Sequence, residues 1–192
     1  MPSLTPTPLS ALRISSHHIP PYQNFPNTSL NPYPLLIYHS VFPSSASLSA
    51  RNVEAHLISV GVVKPAWRYT MYQQHHYHST AHEFLVVVSG SAQLCFGGSV
   101  SPENKGKVLA DVKKGDAMLV PAGVGHALLQ DKDGGFEMVG SYPTHAERWD
   151  MCTGEDGEKG GEEWKRIKGL KWFDRDPIYG DEGPAVDLAK GS

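Results

Sequence analysis

Four of the ten histidines lie in the stretch QQHHYHSTAHEFLVVVSG, residues 73–90, and a glutamate directly follows the last of them. They are His75, His76, His78 and His82. Because strand side chains alternate between faces, His76 and His78 share one face. If the EFLVVV segment pairs back on QHHYH through a hairpin at 79–81, Glu83 lies beside both imidazoles. An unpaired carboxylate inside an apolar barrel is costly, so this grouping predicts a site for a first-row metal ion.

A further ligand is predicted in GDAMLVPAGVGHALLQ, residues 115–130. Pro121 and the glycines around it favour a tight reversal between two short strands. His126 opens the second strand and is expected to point inward together with Leu128 and Gln130. The sequence therefore offers three imidazoles and one carboxylate from separate segments.

The elements around these residues are short. From Trp67 to about residue 150, apolar runs of six to ten residues alternate with Gly, Pro and Asp turns, which predicts an antiparallel all-β barrel or sandwich. Residues 34–42 predict a strand, and apolar spacing within 45–62 predicts a helix. We expect an irregular N-terminal arm over 1–30, a barrel over 31–150, and a charged C-terminal tail over 151–192. The tail has one short helical stretch near 160–168, and its aromatic residues are expected to pin it to the barrel.

Composition narrows the class of protein. A chain of 192 residues favours one domain, and a formal charge of −3 without a basic block argues against nucleic-acid binding. The apolar runs are too short to span a bilayer, and no signal peptide is recognised. Two cysteines fit a reducing compartment, so a cytoplasmic location is expected. Cys95, in an apolar run, is expected to be a core residue.

The spacing of the ligand candidates resembles a known family. His76-x-His78, four residues, Glu83, six residues and a glycine resembles the first cupin motif. Gly115, five residues, Pro121-x-Gly-x-x-His resembles the second. The segments HYHSTAHE, PAGVGHALL, YPTHAERWDMC and DPIYGDEGP together resemble the small YjlB-type cupins over about residues 30–186.

This resemblance implies a double-stranded β-helix, also called a jelly-roll barrel, and a likeness to RmlC-like proteins. It implies one divalent transition metal held by His76, His78, Glu83 and His126, and a homodimer. Imidazole-rich ligation suits Fe, Mn, Ni, Cu, Co and Zn alike. Gln130 stands where the family often has asparagine, at a position that is not a metal ligand. The resemblance supplies a site and not a reaction.

Other side chains are candidates to contact a substrate. Arg68, Tyr72 and Gln74 share the parity of His76 if their strand is regular, and a bend near Pro65 would remove that parity. Tyr72 and Gln74 are the candidate catalytic groups, and Arg68 is a candidate to line the pocket. Gln130 and Met118 are further lining candidates, with plain barrel packing as the alternative for Met118.

Two more residues near the site have structural interpretations. His82 neighbours Glu83 and is therefore expected to face outward at the surface. Trp149 is expected to be a structural plug at the barrel rather than a platform for substrate.

Three functions fit this site. The preferred one is a metal-dependent oxidoreductase, such as a dioxygenase, acting on a small organic molecule. The second is a non-redox isomerase, lyase or cyclase that uses the metal to polarise a carbonyl group. The third is a binding or sensor barrel without turnover.

Overall fold

The fold is an all-β jelly roll with short helices packed outside it. The computed structural model describes residues 4–45, 47–154 and 161–190. The strands are β1 Arg13–His17, β2 Leu35–His39, β3 Val63–Tyr69, β4 Glu83–Ser89, β5 Ser91–Phe96, β6 Val108–Lys113, β7 Ala117–Val120, β8 His126–Asp131 and β9 Glu137–Pro143. The helices are α1 Ala50–Val60, α2 Glu162–Gly169 and α3 Pro184–Lys190, with short 3-10 turns at Leu9–Ala11 and Asn27–Leu30.

The strands form two antiparallel sheets. The larger has the order β1-β2-β7-β4-β9-β3, and the smaller has the order β6-β5-β8. Side chains from both sheets, such as Leu85, Phe96 and Met118, meet in one apolar cluster inside the barrel. This arrangement confirms the expected all-β jelly roll.

The uninterrupted apolar run of β4 is explained by burial on both of its faces. Leu85 and Val87 point into the barrel interior, whereas Phe84 and Val86 point to the outer side of the large sheet. On that outer side the sheet is covered by α1 and by part of the C-terminal tail. A strand covered on both faces has no solvent-facing positions, so polar alternation is lost.

Helix α1 lies within the predicted helical segment. The Ser49 side chain caps its start by accepting a hydrogen bond from the Asn52 amide at 3.3 Å. Gly61 ends it in the left-handed conformation, with φ of 76°. Val53 and Leu57 are fully buried against the large sheet.

The N-terminal arm differs from the irregular segment expected. Its residues 13–17 form β1, which pairs antiparallel with β2 and extends the large sheet by one strand. The arm thus covers an edge that would otherwise expose unpaired backbone groups.

The C-terminal tail is fixed by one buried carboxylate. Asp176 accepts hydrogen bonds from the Tyr38 hydroxyl at 2.9 Å and from the amides of Ile178, Tyr179 and Ala185 at 2.9 to 3.1 Å. Helix α2 falls in the predicted helical stretch, whereas α3 was not expected. The charged run 155–160 lies outside the described residues. Among the helices described, none is long and apolar enough to cross a membrane.

Candidate metal centre

The four candidate ligands converge at one end of the barrel interior. Ligand atoms of His76, His78 and His126 all lie within 4.8 Å of one another, and all three side chains are buried. The two carboxylate oxygens of Glu83 lie 3.4 Å from Nε2 of His78 and 3.4 Å from Nε2 of His126. Three imidazoles and one carboxylate therefore face a common point.

The backbone brings these residues together in a way that differs from the expected hairpin. Strand β4 pairs with β7 and β9 and not with the histidine segment. Instead, His76 pairs antiparallel with His126, with backbone N–H to O distances of 3.2 and 2.8 Å. Gly123, with φ of 91°, makes the reversal before His126, and its amide donates to the carbonyl of His78 at 2.9 Å.

Hydrogen bonds at the far side of each ring set the tautomer. Nδ1 of His76 lies 2.9 Å from the carbonyl oxygen of Gln74, and Nδ1 of His126 lies 2.9 Å from that of Val124. Nδ1 of His78 bonds to the carbonyl oxygen of Asp150. A carbonyl oxygen can only accept, so each Nδ1 carries the proton. Each Nε2 then presents a lone pair to the common point.

This donor set fits a divalent transition metal. Lone pairs of neutral imidazoles beside an ionised carboxylate repel each other unless a cation lies between them. The carbonyl partners of Nδ1 are the usual means of orienting histidine ligands. His76, His78, His126 and Glu83 are thus the residues that could hold such an ion.

The pKa values of the four groups are shifted by burial and by their neighbours. Burial and the neighbouring His76 lower the pKa of His126 to about 3, and burial also lowers that of His76. Burial opposes ionisation of Glu83, but the adjacent His78 and His126 outweigh it and bring its pKa to about 2. For His78, burial is outweighed by Glu83, so its pKa is raised. Glu83 is therefore ionised, and of the three imidazoles only that of His78 has a raised pKa.

Tyr142 on β9 supports Glu83. Its hydroxyl donates to Oε1 of Glu83 at 2.5 Å, and it accepts from the indole N–H of Trp67 at 3.1 Å. Burial and the Glu83 charge raise the pKa of Tyr142, so the hydroxyl keeps its proton. Tyr142 was not among the residues predicted from the sequence to belong to the site. The only available signal was a hydroxyl-bearing residue in an apolar strand.

Asp150 holds the segment that follows His78. Its carboxylate accepts from the Ser79 amide at 2.7 Å, the Ser79 hydroxyl at 2.5 Å and the Thr80 amide at 3.3 Å. Arg166 of α2 lies 3.3 Å from the same carboxylate. Asp150 was also missed, because it lies 72 residues after His78.

A cavity of about 250 Å³ opens beside the four ligands. Tyr72 and Arg68 are among the residues that line it. Tyr72 is 49% exposed at its mouth, with its ring 5.7 Å from that of His76. The Arg68 guanidinium is bound by Glu54 through two hydrogen bonds of 2.5 Å.

Three other candidate residues do not line this cavity. The Gln74 side chain is exposed, and only its carbonyl takes part in the site. The expected strand ends at Tyr69, after a register shift between Pro65 and Trp67, so the parity argument fails there. Gln130 is also exposed, because a register irregularity between β5 and β8 reverses its parity relative to Leu128. Met118 is fully buried in the barrel interior, so it packs in the core, which was the alternative to lining the cavity.

The surface position expected for His82 is wrong. Its ring points away from the ligands, but it is only 2% exposed because the C-terminal tail covers it. Trp172 and Phe173 contact the ring, and its Nδ1 accepts from the Ala122 amide at 3.0 Å. Burial lowers the pKa of His82 to about 4.

Cys95 and Trp149 were both predicted to have structural roles, and the structure places them differently. Cys95 is fully buried, as expected of a core residue, and burial raises the pKa of its thiol to about 11. Trp149 lines the cavity, with its ring 5.6 Å from that of His78. Its ring can therefore contact a molecule in the cavity, so a plug role does not describe it fully.

The chain is similar to a family model, a curated protein and several solved structures. A family model described as Cupin matches residues 71–146. The protein YjlB of Bacillus subtilis (strain 168) is 33% identical over 156 residues, which cover 81% of this chain and 86% of YjlB. RmlC from Streptococcus suis, solved in complex with dTDP-D-xylose, is 10% identical with a TM-score of 0.35 and 72% coverage of each chain. Vicilin from hazelnut (Corylus avellana) is 18% identical with a TM-score of 0.34. That alignment covers 60% of this chain and 30% of vicilin, the longer protein.

Proposed function

This chain belongs to the cupin family, and on that premise we propose that it is a metal-dependent enzyme acting on a small organic molecule. The observation that carries the proposal is the convergence of His76, His78, His126 and Glu83 beside an open cavity. A buried ligand set with no access would suit a purely structural ion. Here the cavity brings a small molecule within reach of the four groups.

We favour oxidative chemistry. A bound iron-like ion would supply one-electron chemistry with dioxygen, which organic side chains lack. The chain's own residues would bind the organic molecule, exclude water through the apolar cavity wall, and keep Glu83 ionised. Neutral imidazoles with a single carboxylate are suited to a redox-active divalent ion.

One observation favours a non-redox alternative, such as isomerisation or elimination next to a carbonyl group. The Tyr142 side chain lines the cavity and its hydroxyl donates a hydrogen bond to Glu83, so this hydrogen-bonded pair is the candidate proton donor to a molecule bound there. A metal acting as a Lewis acid together with such a donor needs no oxidant.

The first experiment is elemental analysis of protein purified without chelators. We expect about one transition-metal ion per chain, and its loss in His126→Ala. His145→Ala is the matched control, because His145 is exposed and lies outside the ligand set. Equal metal content in both variants would contradict the assignment.

The second experiment separates the two reactions. Oxygen uptake is measured with Fe(II)-loaded protein and a panel of small organic acids and phenols. Uptake that requires both iron and the organic compound supports oxidation. Turnover of a carbonyl compound by the Zn(II)-loaded protein under anaerobic conditions would contradict oxidation and support the non-redox function.

A further inference from the structure

The wall of the cavity beside the four ligands is dominated by aromatic rings. The aromatic side chains that line it, apart from the histidines, are Trp67, Tyr69, Tyr72, Tyr142 and Trp149. The rings form pairs: Trp149 stacks on Tyr142 with 6.0 Å between centroids and 15° between planes, and Tyr69 lies 5.7 Å from Tyr72. Rings of this kind bind another ring through stacked or edge contacts.

The mouth of the cavity exposes apolar surface. Tyr69 is 53% exposed, Tyr72 is 49% exposed and Met151 is 40% exposed. These are three of the seven large apolar side chains that are exposed among the described residues, and all three line this one cavity. Single exposed apolar residues are ordinary, whereas a cluster around a cavity marks a surface that is covered on binding.

The charge of the wall restricts the ligand further. Along the described lining, Arg68 is the single Arg or Lys side chain, and its guanidinium is already bound by Glu54 at two positions. A divalent cation held by one carboxylate and three neutral imidazoles has one net positive charge. One negative charge on the ligand balances it, and a second would have no partner.

The size of the cavity sets an upper limit on the size of its ligand. At about 250 Å³ it is smaller than the pockets of roughly 300–1,000 Å³ that hold drug-sized ligands. A single-ring compound with short substituents fits that range. A nucleotide does not.

We propose that the cavity binds a small, flat aromatic compound with no more than one negative charge, such as a benzoate or a phenol. This inference rests on the proposed function, because the ligand is taken to bind beside a metal-loaded centre. The aromatic rings of the wall hold the ring of the ligand, and its acidic oxygen faces the four ligand groups.

The test compares three probes on Zn(II)-loaded protein by isothermal titration calorimetry. Benzoate is the aromatic monoanion, cyclohexanecarboxylate is a non-aromatic monoanion of similar size, and phthalate is an aromatic dianion. We expect benzoate to bind about tenfold more tightly than either of the others, the effect of one or two ring contacts or of one unpaired charge. Equal or tighter binding of cyclohexanecarboxylate or phthalate, or no heat from benzoate, would overturn the inference.

A pair of variants locates the ring contact. Trp149→Leu is expected to weaken benzoate binding by about tenfold without changing zinc content. Trp164→Leu is the matched control, because this half-buried indole on α2 lies outside the cavity lining. Equal benzoate affinity in the two variants would place the ligand elsewhere.

Zinc content separates the failure of this inference from the failure of the function on which it rests. A protein that holds no zinc overturns the proposed function and this inference together. A protein that holds zinc but does not discriminate among the probes overturns the aromatic ligand alone.

Discussion

Replacing Asp150 with alanine tests how the third imidazole of the centre is held. The Asp150 carboxylate accepts four hydrogen bonds from Ser79 and Thr80, at 2.5 to 3.3 Å. The Asp150 carbonyl accepts the Nδ1 proton of His78. The substitution keeps that carbonyl and the backbone pair between Tyr77 and Cys152, but it removes four of the bonds that fix the two segments against each other. His78 is therefore expected to be held less firmly.

The structure sets the size of the effect. Of the four bonds, the two to Ser79 are short, and a hydrogen bond to a charged group contributes about 1.5–3 kcal/mol. We expect a loss of about 3–5 kcal/mol in the free energy of unfolding of the metal-free protein. Metal affinity should fall by about 10- to 100-fold, as for other groups that orient ligand histidines.

Two measurements check these values. Urea denaturation of the metal-free protein gives the change in stability, and competition with a chromogenic zinc chelator gives the change in affinity. Glu147→Ala is the control, because Glu147 is exposed on the same loop. Zinc affinity within about twofold of the unaltered protein would refute the reasoning, even with a large loss of stability, because Asp150 would then support the fold without orienting His78.

Three further substitutions have defined outcomes. Tyr142→Phe removes the 2.5 Å hydrogen bond that helps to lower the pKa of Glu83, so protons should compete better with the metal; in a pH titration, zinc release should begin at a higher pH than in the unaltered protein. Burial lowers the pKa of His82 to about 4, compared with about 6.5 in the unfolded chain. Its contribution to the free energy of unfolding, about 3 kcal/mol, is therefore complete above pH 6.5 and is lost as pH falls towards 4. His82→Gln should therefore reduce the loss of stability between pH 7 and 5 in urea denaturation, and an unchanged loss would contradict this assignment. Asp176→Ala leaves one hydroxyl and three amides without an acceptor and should cost roughly 3–5 kcal/mol in urea denaturation, whereas exposed Asp174→Ala should change stability by less than about 0.5 kcal/mol.

The residues of the ligand set could be predicted because local spacing determines which of them share a face. His76, His78, Glu83 and His126 lie within two short segments, and the glycine-rich reversal before His126 is a local signal. Their convergence was predicted correctly although the assumed pairing was wrong. β7 and β9, rather than the histidine segment, are the neighbours of β4.

Positions that depend on irregular strands could not be predicted. Alternation along the strands places Gln74 and Gln130 in the cavity, but each follows an irregularity in its strand. Pro65 indicated a possible bend in β3, whereas no residue type indicated the irregularity in β8. β3 shifts register after Pro65 and ends at Tyr69, and β8 changes parity after Leu128. A single extra residue in a strand moves every later side chain to the opposite face.

Contacts between distant segments were also beyond local pattern. His82 faces away from the ligands as expected, but the tail residues Trp172 and Phe173 bury it. Asp176 binds Tyr38 across 138 positions of sequence. Such pairings follow from the tertiary fold, so sequence alone indicated only that aromatic residues would pin the tail.

The carbonyl oxygens that accept from the three histidine rings lie at different distances along the chain from those rings. Gln74 and Val124 each orient a histidine two positions later, so these two rings are preset by their own segments. The ring of His78 is instead oriented by a carbonyl 72 positions later, which lies beyond the stretch 71–146 that matches the family model. A chain that does not yet include residue 150 therefore lacks the carbonyl that orients His78. If the centre binds a divalent ion as proposed, a chain that ends before residue 150 is expected to bind it less tightly, because His78 then lacks the carbonyl that orients it.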